Sequence, residues 1–272
     1  MGLFALEPNG AGKTTTLRMI LRILLPDEGS IQLLDQPASE RTQNLIGYLP
    51  EERGLYPKMK VREILIFLAS LKGLTEAEAN RRARVWLEKL ELADWSEKKV
   101  IDLSKGMQQK VQFIAAVIHN PPLLILDEPF TSLDPVNAGI IKDIMLELRD
   151  QGSTIILSTH RMEQVEMMCD SICLIHQGRK VLDGELAAIK QSYGKNTLRL
   201  QYSGNGDFLD LPGLIESTNH YGAMVEIKLR PGADPQEILK LAIERGVRIS
   251  RFELTEPPLN EIFIEKVSEA DA

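Results

Sequence analysis

Short apolar runs of β type alternate with amphipathic helical patterns along most of the chain, which predicts an α/β architecture. Leu3 to Leu6 reads as a strand, and after a Gly-rich turn the pattern predicts a helix from Thr14 to Leu24. Ile31 to Leu34 and Leu45 to Leu49 read as short strands, and Val61 to Leu71 and Glu76 to Leu90 as helices. Ser104 stands where a helix cap belongs, ahead of a helix from Lys105 to Ile118. Leu123 to Leu126 is continuously apolar after two prolines, the pattern of a fully buried parallel strand. Pro135 opens a helix to Arg149, and Gly152 is placed to stop it. A strand at Thr154 to Leu157, a helix at Arg161 to Met168, strands at Ile172 to His176 and Val181-Leu182, and a helix at Glu185 to Ser192 follow.

The pattern changes character near Tyr193-Gly194-Lys195-Asn196. Period-two alternation appears at Leu198 to Leu200 and Val225 to Leu229. A helix from Pro235 to Glu244, a strand from Val247 to Phe252 and a helix from Leu259 to Val267 complete the chain. The predicted organisation is a mostly parallel α/β domain with a helical subdomain over residues 1–193 and a small α+β domain over 194–272.

Composition narrows this picture. The chain has 272 residues, room for two domains at roughly 150 residues each. It carries 32 Lys and Arg against 39 Asp and Glu, a formal net charge of −7. That balance disfavours unspecific binding to nucleic acid, so any anionic ligand needs a local trap. No apolar run reaches the ~18 residues of a membrane-spanning helix. The two cysteines, Cys169 and Cys173, make no disulfide framework and read as small packed residues.

Such a trap lies near the start. Pro8-Asn9-Gly10-Ala11-Gly12-Lys13-Thr14-Thr15 stands between a strand and a helix, the setting of a phosphate-binding loop. Gly10 and Gly12 let backbone N–H groups turn inward where a β-carbon would obstruct. Lys13 can reach the β- and γ-phosphates, and the Thr14 hydroxyl can ligate Mg²⁺. Glu7 occupies the position of the motif's first glycine. A carboxylate about 8 Å from a phosphate at an effective dielectric of ~20 costs about 2 kcal/mol.

Asp127 and Glu128 follow four apolar residues, so a buried strand delivers both carboxylates to its C-terminal edge, where α/β sheets bind ligands. Asp127 suits a Mg²⁺ partner, and Glu128 suits polarising an attacking water. His160 comes after the next strand, through Ser158-Thr159, where it can contact a γ-phosphate.

Leu103-Ser104-Lys105-Gly106-Met107-Gln108-Gln109 upstream of these acids, with Ser132-Leu133-Asp134 and Ser158-Thr159-His160 after them, resembles the motif order of ATP-binding-cassette (ABC) ATPases. The resemblance covers residues 2 to about 192. It implies ATP and Mg²⁺ as ligands, Glu128 and His160 as catalytic residues, and Asp134 in the D-loop. Ser104, Lys105, Gly106 and Met107 then form the signature that faces the ATP of a second cassette in a head-to-tail dimer, here departing from Leu-Ser-Gly-Gly-Gln at Lys105 and Met107. Glu51 occupies the place of the Q-loop glutamine, a contact to Mg²⁺ and water.

The resemblance also implies a membrane permease as partner, no nucleic acid, and a peripheral position on the cytoplasmic face of the inner membrane. The stretch from Gly47 to Tyr56 and the segment from Phe252 to Val267 resemble ATPase subunits of sodium-efflux (Nat-type) exporters. Family members ordinarily carry two further strands and an adenine-stacking aromatic ahead of the phosphate loop. Against that pattern the chain reads as truncated at its N-terminus, with ATP affinity lowered about tenfold by the lost stacking. The alternative expectation is a non-catalytic or weakly nucleotide-binding cassette, on account of Glu7 and that missing segment. Trp86 and Trp95 are expected to anchor the core of the helical segment, and the Arg81-Arg82-Ala83-Arg84 cluster to form a solvated face.

Overall fold

The computed structural model describes residues 2–6 by their backbone, and 12–52 and 54–271. Two compact units divide the chain, Met1–Gly184 and Glu185–Ala272. In chain order the first contains β1 (Gly2–Leu6), α1 (Lys13–Ile20), β2 (Gln32–Leu33), β3 (Gln36–Pro37), α2 (Glu40–Asn44) and β4 (Ile46–Leu49). It continues through α3 (Val61–Leu71), α4 (Glu76–Lys89), α5 (Lys105–Val117), β5 (Leu123–Asp127), α6 (Pro135–Asp150), β6 (Thr154–Ser158), α7 (Met162–Met168), β7 (Ser171–His176) and β8 (Arg179–Glu185). The second unit holds α8 (Leu186–Tyr193), β9 (Thr197–Ser203), β10 (Ile215–Tyr221), β11 (Met224–Leu229), α9 (Pro235–Glu244), β12 (Arg248–Thr255) and α10 (Leu259–Asp271).

The main sheet runs β4-β5-β6-β1-β7-β8, with parallel pairing of β4 to β5, β5 to β6, β6 to β1 and β1 to β7. Every residue of β5 is buried, as an apolar strand covered on both faces requires. Helices α3, α4 and α5 pack on one another through Val61, Ile64, Leu65, Ala79, Ala83, Val111 and Ile114, each inaccessible to solvent. No helix among the described residues is long and apolar enough to cross a membrane.

The second unit is a four-stranded antiparallel sheet, β10-β11-β9-β12. Its core gathers Leu198, Leu200, Phe208, Val225, Ile227 and Ile238. Strand β10 was not predicted: after Ile215 all its residues are exposed and polar or aromatic, so it has no apolar alternation.

Caps account for the helices that match prediction at their starts. Thr75 accepts from the Glu78 N–H, Ser104 from the Met107 N–H, and Asp234 from the Gln236 N–H. Gly152, at φ 102°, stops α6 as expected. Helix α1 departs from prediction and ends at Ile20. The Arg18 carbonyl accepts from the N–H groups of both Ile23 and Leu24, and Arg22 takes a left-handed backbone at φ 55°. Ile23 and Leu25 therefore stand exposed instead of extending the buried face. The strand predicted from Ile31 shrinks to β2, which turns at once into β3 through Leu34 and Asp35, both left-handed.

Trp86 and Trp95 do not anchor the helical core, contrary to expectation. Both are half-buried, and the buried residues beside them are Ala79, Ala83, Leu87, Leu90 and Leu92. The Trp86 ring carries the Lys89 ammonium 5.3 Å from its centroid. Arg82 is half-buried, donating to Glu78 at 2.7 Å and to the Ile118 carbonyl at 3.0 Å. Arg81 and Arg84 are exposed. Cys169 is buried, and burial pushes its thiol up to about 12.

His119 closes α5 against this layer. Both its ring nitrogens are buried without a hydrogen bond of ordinary geometry. Burial, followed by the charges of Lys72 and Arg82, pulls its pKa down to about 4, and the Ile46 carbonyl offsets only part of this. An unfolded chain takes up the imidazole proton near pH 6.5, where the folded protein refuses it. Stability is therefore full above pH 6.5 and falls as the pH drops toward 4. With allowance for partial solvent screening, the loss is of order 2 kcal/mol. Denaturant unfolding at pH 7 and pH 4.5 checks this: His119→Gln should lose about 2 kcal/mol less on acidification than the native chain, and equal losses would reject the account.

Candidate active site

Register places the candidate residues. Ala5 of β1 pairs with Ser158 of β6, and Ser158 pairs with Asp127 of β5. Three adjacent parallel strands thus end together, and the loops leaving them carry the phosphate-binding motif, the acid pair and His160. Glu7, Pro8, Asn9, Gly10 and Ala11 lie outside the described residues. Gly12 caps α1 in a left-handed conformation, φ 103°. Glycine suits this backbone, which a side chain would strain. Lys13, Thr14 and Thr15 form the first turn of α1, which contains no acid, leaving the positive helix end unopposed from within.

Asp127 and Glu128 are 3% and 7% exposed. Glu128 follows the strand with a left-handed backbone, φ 49°, and its N–H donates to the Ser158 carbonyl at 2.8 Å. Its carboxylate turns toward the loop after β6. Glu128 Oε1 accepts from the His160 backbone N–H at 2.9 Å and lies 2.7 Å from His160 Nδ1. Glu128 Oε2 lies 3.3 Å from the Thr159 hydroxyl. The two predicted catalytic residues are therefore in direct contact.

Burial pushes the Asp127 carboxyl above its usual range, and the charges of Glu51 and Glu128 push the same way. Ser158 and Lys13 oppose them. The Ser158 hydroxyl is fully buried and makes no hydrogen bond of ordinary geometry, yet it stands close enough to Asp127 to offset part of the shift. Burial also raises Tyr48, on the neighbouring strand β4, with further contributions from Asp127 and Glu51. Asp127, Glu51, Glu128 and Lys13 thus share one electrostatic neighbourhood. Among the described residues no group of three acids, histidines or cysteines stands close enough to hold a metal ion.

The signature residues Ser104, Lys105, Gly106 and Met107 form no hydrogen bond with the acid pair, Asp127 and Glu128, or with His160 among the described residues. Gly106 lies close to the loop before α6: an added Cβ would stand 3.2 Å from the Ser132 carbonyl. Asp134 caps α6, accepting from the Val136 and Asn137 N–H groups at 3.0 Å each. Those hydrogen bonds hold its carboxyl below the usual range.

Three buried polar side chains on α5 escaped the sequence reading. Gln109 donates to the Pro129 carbonyl at 3.2 Å, Lys110 to Leu90 at 3.1 Å and Gln112 to Glu52 at 3.3 Å. Gln109 and Gln112 tie the helix after the signature to the loops beside Glu128 and Glu51, and Lys110 ties it to the end of α4. Runs of Gln and Lys read as solvent-facing, and their partners stand 20 to 60 residues away.

This fold, with acids and a glycine-capped helix converging on one sheet edge, defines a nucleotide-binding α/β cassette. The family profile described as ABC transporter matches residues 6–131. A profile for the C-terminal domain of DrrA1-3-like ATP-binding proteins matches residues 184–267. The chain is 47% identical over 262 residues to the ABC transporter ATP-binding protein YhaQ of Bacillus subtilis, covering 96% of this chain and 88% of that one. It is 40% identical over 182 residues to the Nod factor export ATP-binding protein I of Burkholderia thailandensis, 66% of this chain and 60% of that one. A solved structure of an ATP-binding subunit of an ABC transporter superposes with a TM-score of 0.66 at 34% identity, covering 71% of this chain and 82% of the other. The chain belongs to the family of ABC transporter ATP-binding proteins.

Proposed function

We propose that this chain is the ATP-hydrolysing subunit of an ABC exporter, with Glu128 polarising the attacking water. The observation that carries this reading is the Glu128 carboxylate, buried at the end of β5 and engaged by His160 at 2.7 Å. A general base must be oriented before its proton affinity matters, and the His160 contact supplies that orientation. His160, two-thirds exposed at its side chain, has the freedom to meet a γ-phosphate at the mouth of the site.

The phosphates are assigned to Pro8, Asn9, Gly10, Ala11, Gly12, Lys13, Thr14 and Thr15, where backbone N–H groups and one lysine oppose their charge. The negative charges of Glu51 and Glu128 raise the Asp127 carboxyl, and a divalent cation would offset them. Asp127, Thr14 and Glu51 would hold Mg²⁺, whose role when bound is to neutralise charge on the phosphates. Ser104, Lys105, Gly106 and Met107 are assigned to the ATP of a second cassette, with Asp134 in the same interface.

The permease is assigned to the face formed by α3 and the loop before it. Tyr56 and Phe67 pack edge to face there at 6.1 Å, and with Leu71 they stand exposed. Such a patch on a helical layer suits an apolar partner segment. On this reading the subunit works on the cytoplasmic face of the inner membrane. Export is supported by the Nod factor export relative, and sodium as cargo by the resemblance of residues 47–56 and 252–267 to sodium-efflux ATPases.

Purification from membranes with identification of the bound protein, and a phosphate-release assay on the same sample, tests the reading. An integral membrane protein and Mg²⁺-dependent phosphate release are expected together; a chain that copurifies with none and releases no phosphate overturns it. Glu7 favours a second reading, a cassette that binds nucleotide weakly. Glu7→Gly separates the two: a change in ATP affinity within about threefold supports the first, and tightening by tenfold or more the second.

A further inference from the structure

We infer that Thr159 is a positioning residue for Glu128, acting through its hydroxyl. The inference rests on the assignment of Glu128 as the group that polarises water.

Thr159 is fully buried. Its hydroxyl oxygen accepts from the Arg161 N–H at 3.2 Å, which occupies a lone pair and fixes the side chain over the turn into α7. The hydroxyl proton is left to point at one of two acceptors, Glu128 Oε2 at 3.3 Å and Gln164 Oε1 at 3.5 Å. The ionised carboxylate is the stronger acceptor. Glu128 Oε1 is already engaged by the His160 N–H and ring nitrogen. With only that oxygen held, the carboxylate can still rotate about its terminal torsion, which is broad and roughly two-fold. The Thr159 hydroxyl on Oε2 removes that freedom. Gln164 receives the proton when Glu128 turns toward a water, so the buried hydroxyl is never left unpaired. The left-handed backbone of Glu128 needs such over-determination to persist.

Hydroxyl loss should therefore lower kcat without weakening ATP binding. Thr159→Val keeps the shape and removes the proton; kcat is expected to fall about tenfold, with KM for ATP within about twofold. Thr159→Ser keeps the hydroxyl and should retain kcat within about threefold, while Thr159→Ala should resemble Thr159→Val. The Ser and Ala pair carries the test if the valine does not fold, since both lose the methyl group and only one keeps the proton. Thermal midpoints of each variant accompany the assay. Equal kcat for the Ser and Ala variants overturns the inference, as does a Val variant with native kcat. Glu128→Gln is assayed beside them. If it hydrolyses ATP like the native chain, the reading of Glu128 itself fails; if it is inactive while Thr159→Ala is native-like, only the positioning role fails.

Discussion

Glu128→Gln is expected to lower kcat for ATP by about a hundredfold or more while ATP stays bound. The substitution keeps the shape and an acceptor oxygen for the His160 N–H, which approaches at 2.9 Å. It removes the negative charge and with it the capacity to draw a proton from water. General-base contributions run to ~10²–10⁴-fold, so the loss should be of that order and should appear in kcat rather than in KM. Because the phosphate-binding residues lie on other loops, ATP-bound dimers should accumulate, seen as doubled mass by light scattering with ATP and single mass with ADP. Hydrolysis at the native rate would remove Glu128 from the mechanism and leave its contact with His160 structural.

The largest expected effect on stability is at Gly47. It lies in β4, paired with Leu124 of β5. A Cβ built there stands 2.1 Å from the Ala116 carbonyl oxygen, 2.8 Å from Pro121 Cγ and 2.9 Å from Leu124 Cδ1. The first is helix backbone, which cannot yield as a side-chain tip can, and the fully buried Leu124 has little room to move. Overpacking costs typically 1–3 kcal/mol, and Gly47→Ala is expected at about 3 kcal/mol or above, because α5 or β4 must shift. Denaturant unfolding reads this directly. A variant within about 0.5 kcal/mol of the native chain would mean that α5 does not rest on β4 as described. The same shift would disturb Glu51, two residues beyond the strand, so ATPase activity should fall with stability.

What the sequence disclosed and what it withheld differ in range. Helix α3 begins and ends where its apolar period does, at Val61 and Leu71. Helices α5, α6 and α9 begin where Ser104, Asp134-Pro135 and Asp234-Pro235 place a cap. These are local signals, carried within one turn of the residue that emits them. The acid pair was legible because four apolar residues bury its strand, and His160 because it follows the next strand at the same edge. The end of α1 was not legible: Ile23, Leu24 and Leu25 continue an apolar period that the chain abandons after Ile20. Gln109, Lys110 and Gln112 were missed for the opposite reason. They are polar in composition and buried in fact, and only a contact distant in sequence makes that tolerable. Gly47 reads as one residue of a short strand until the helix packed on that strand is in place. Thr159 reads as filler before a histidine until its hydroxyl is found on Glu128.

Phosphate release from ATP by the native subunit purified with its membrane partner, followed with and without Mg²⁺, tests the central claim most directly. Steady release that requires Mg²⁺ and exceeds that of Glu128→Gln by about a hundredfold or more is expected. Release from the native complex no greater than from Glu128→Gln, with Mg²⁺ and ATP both saturating, would contradict it.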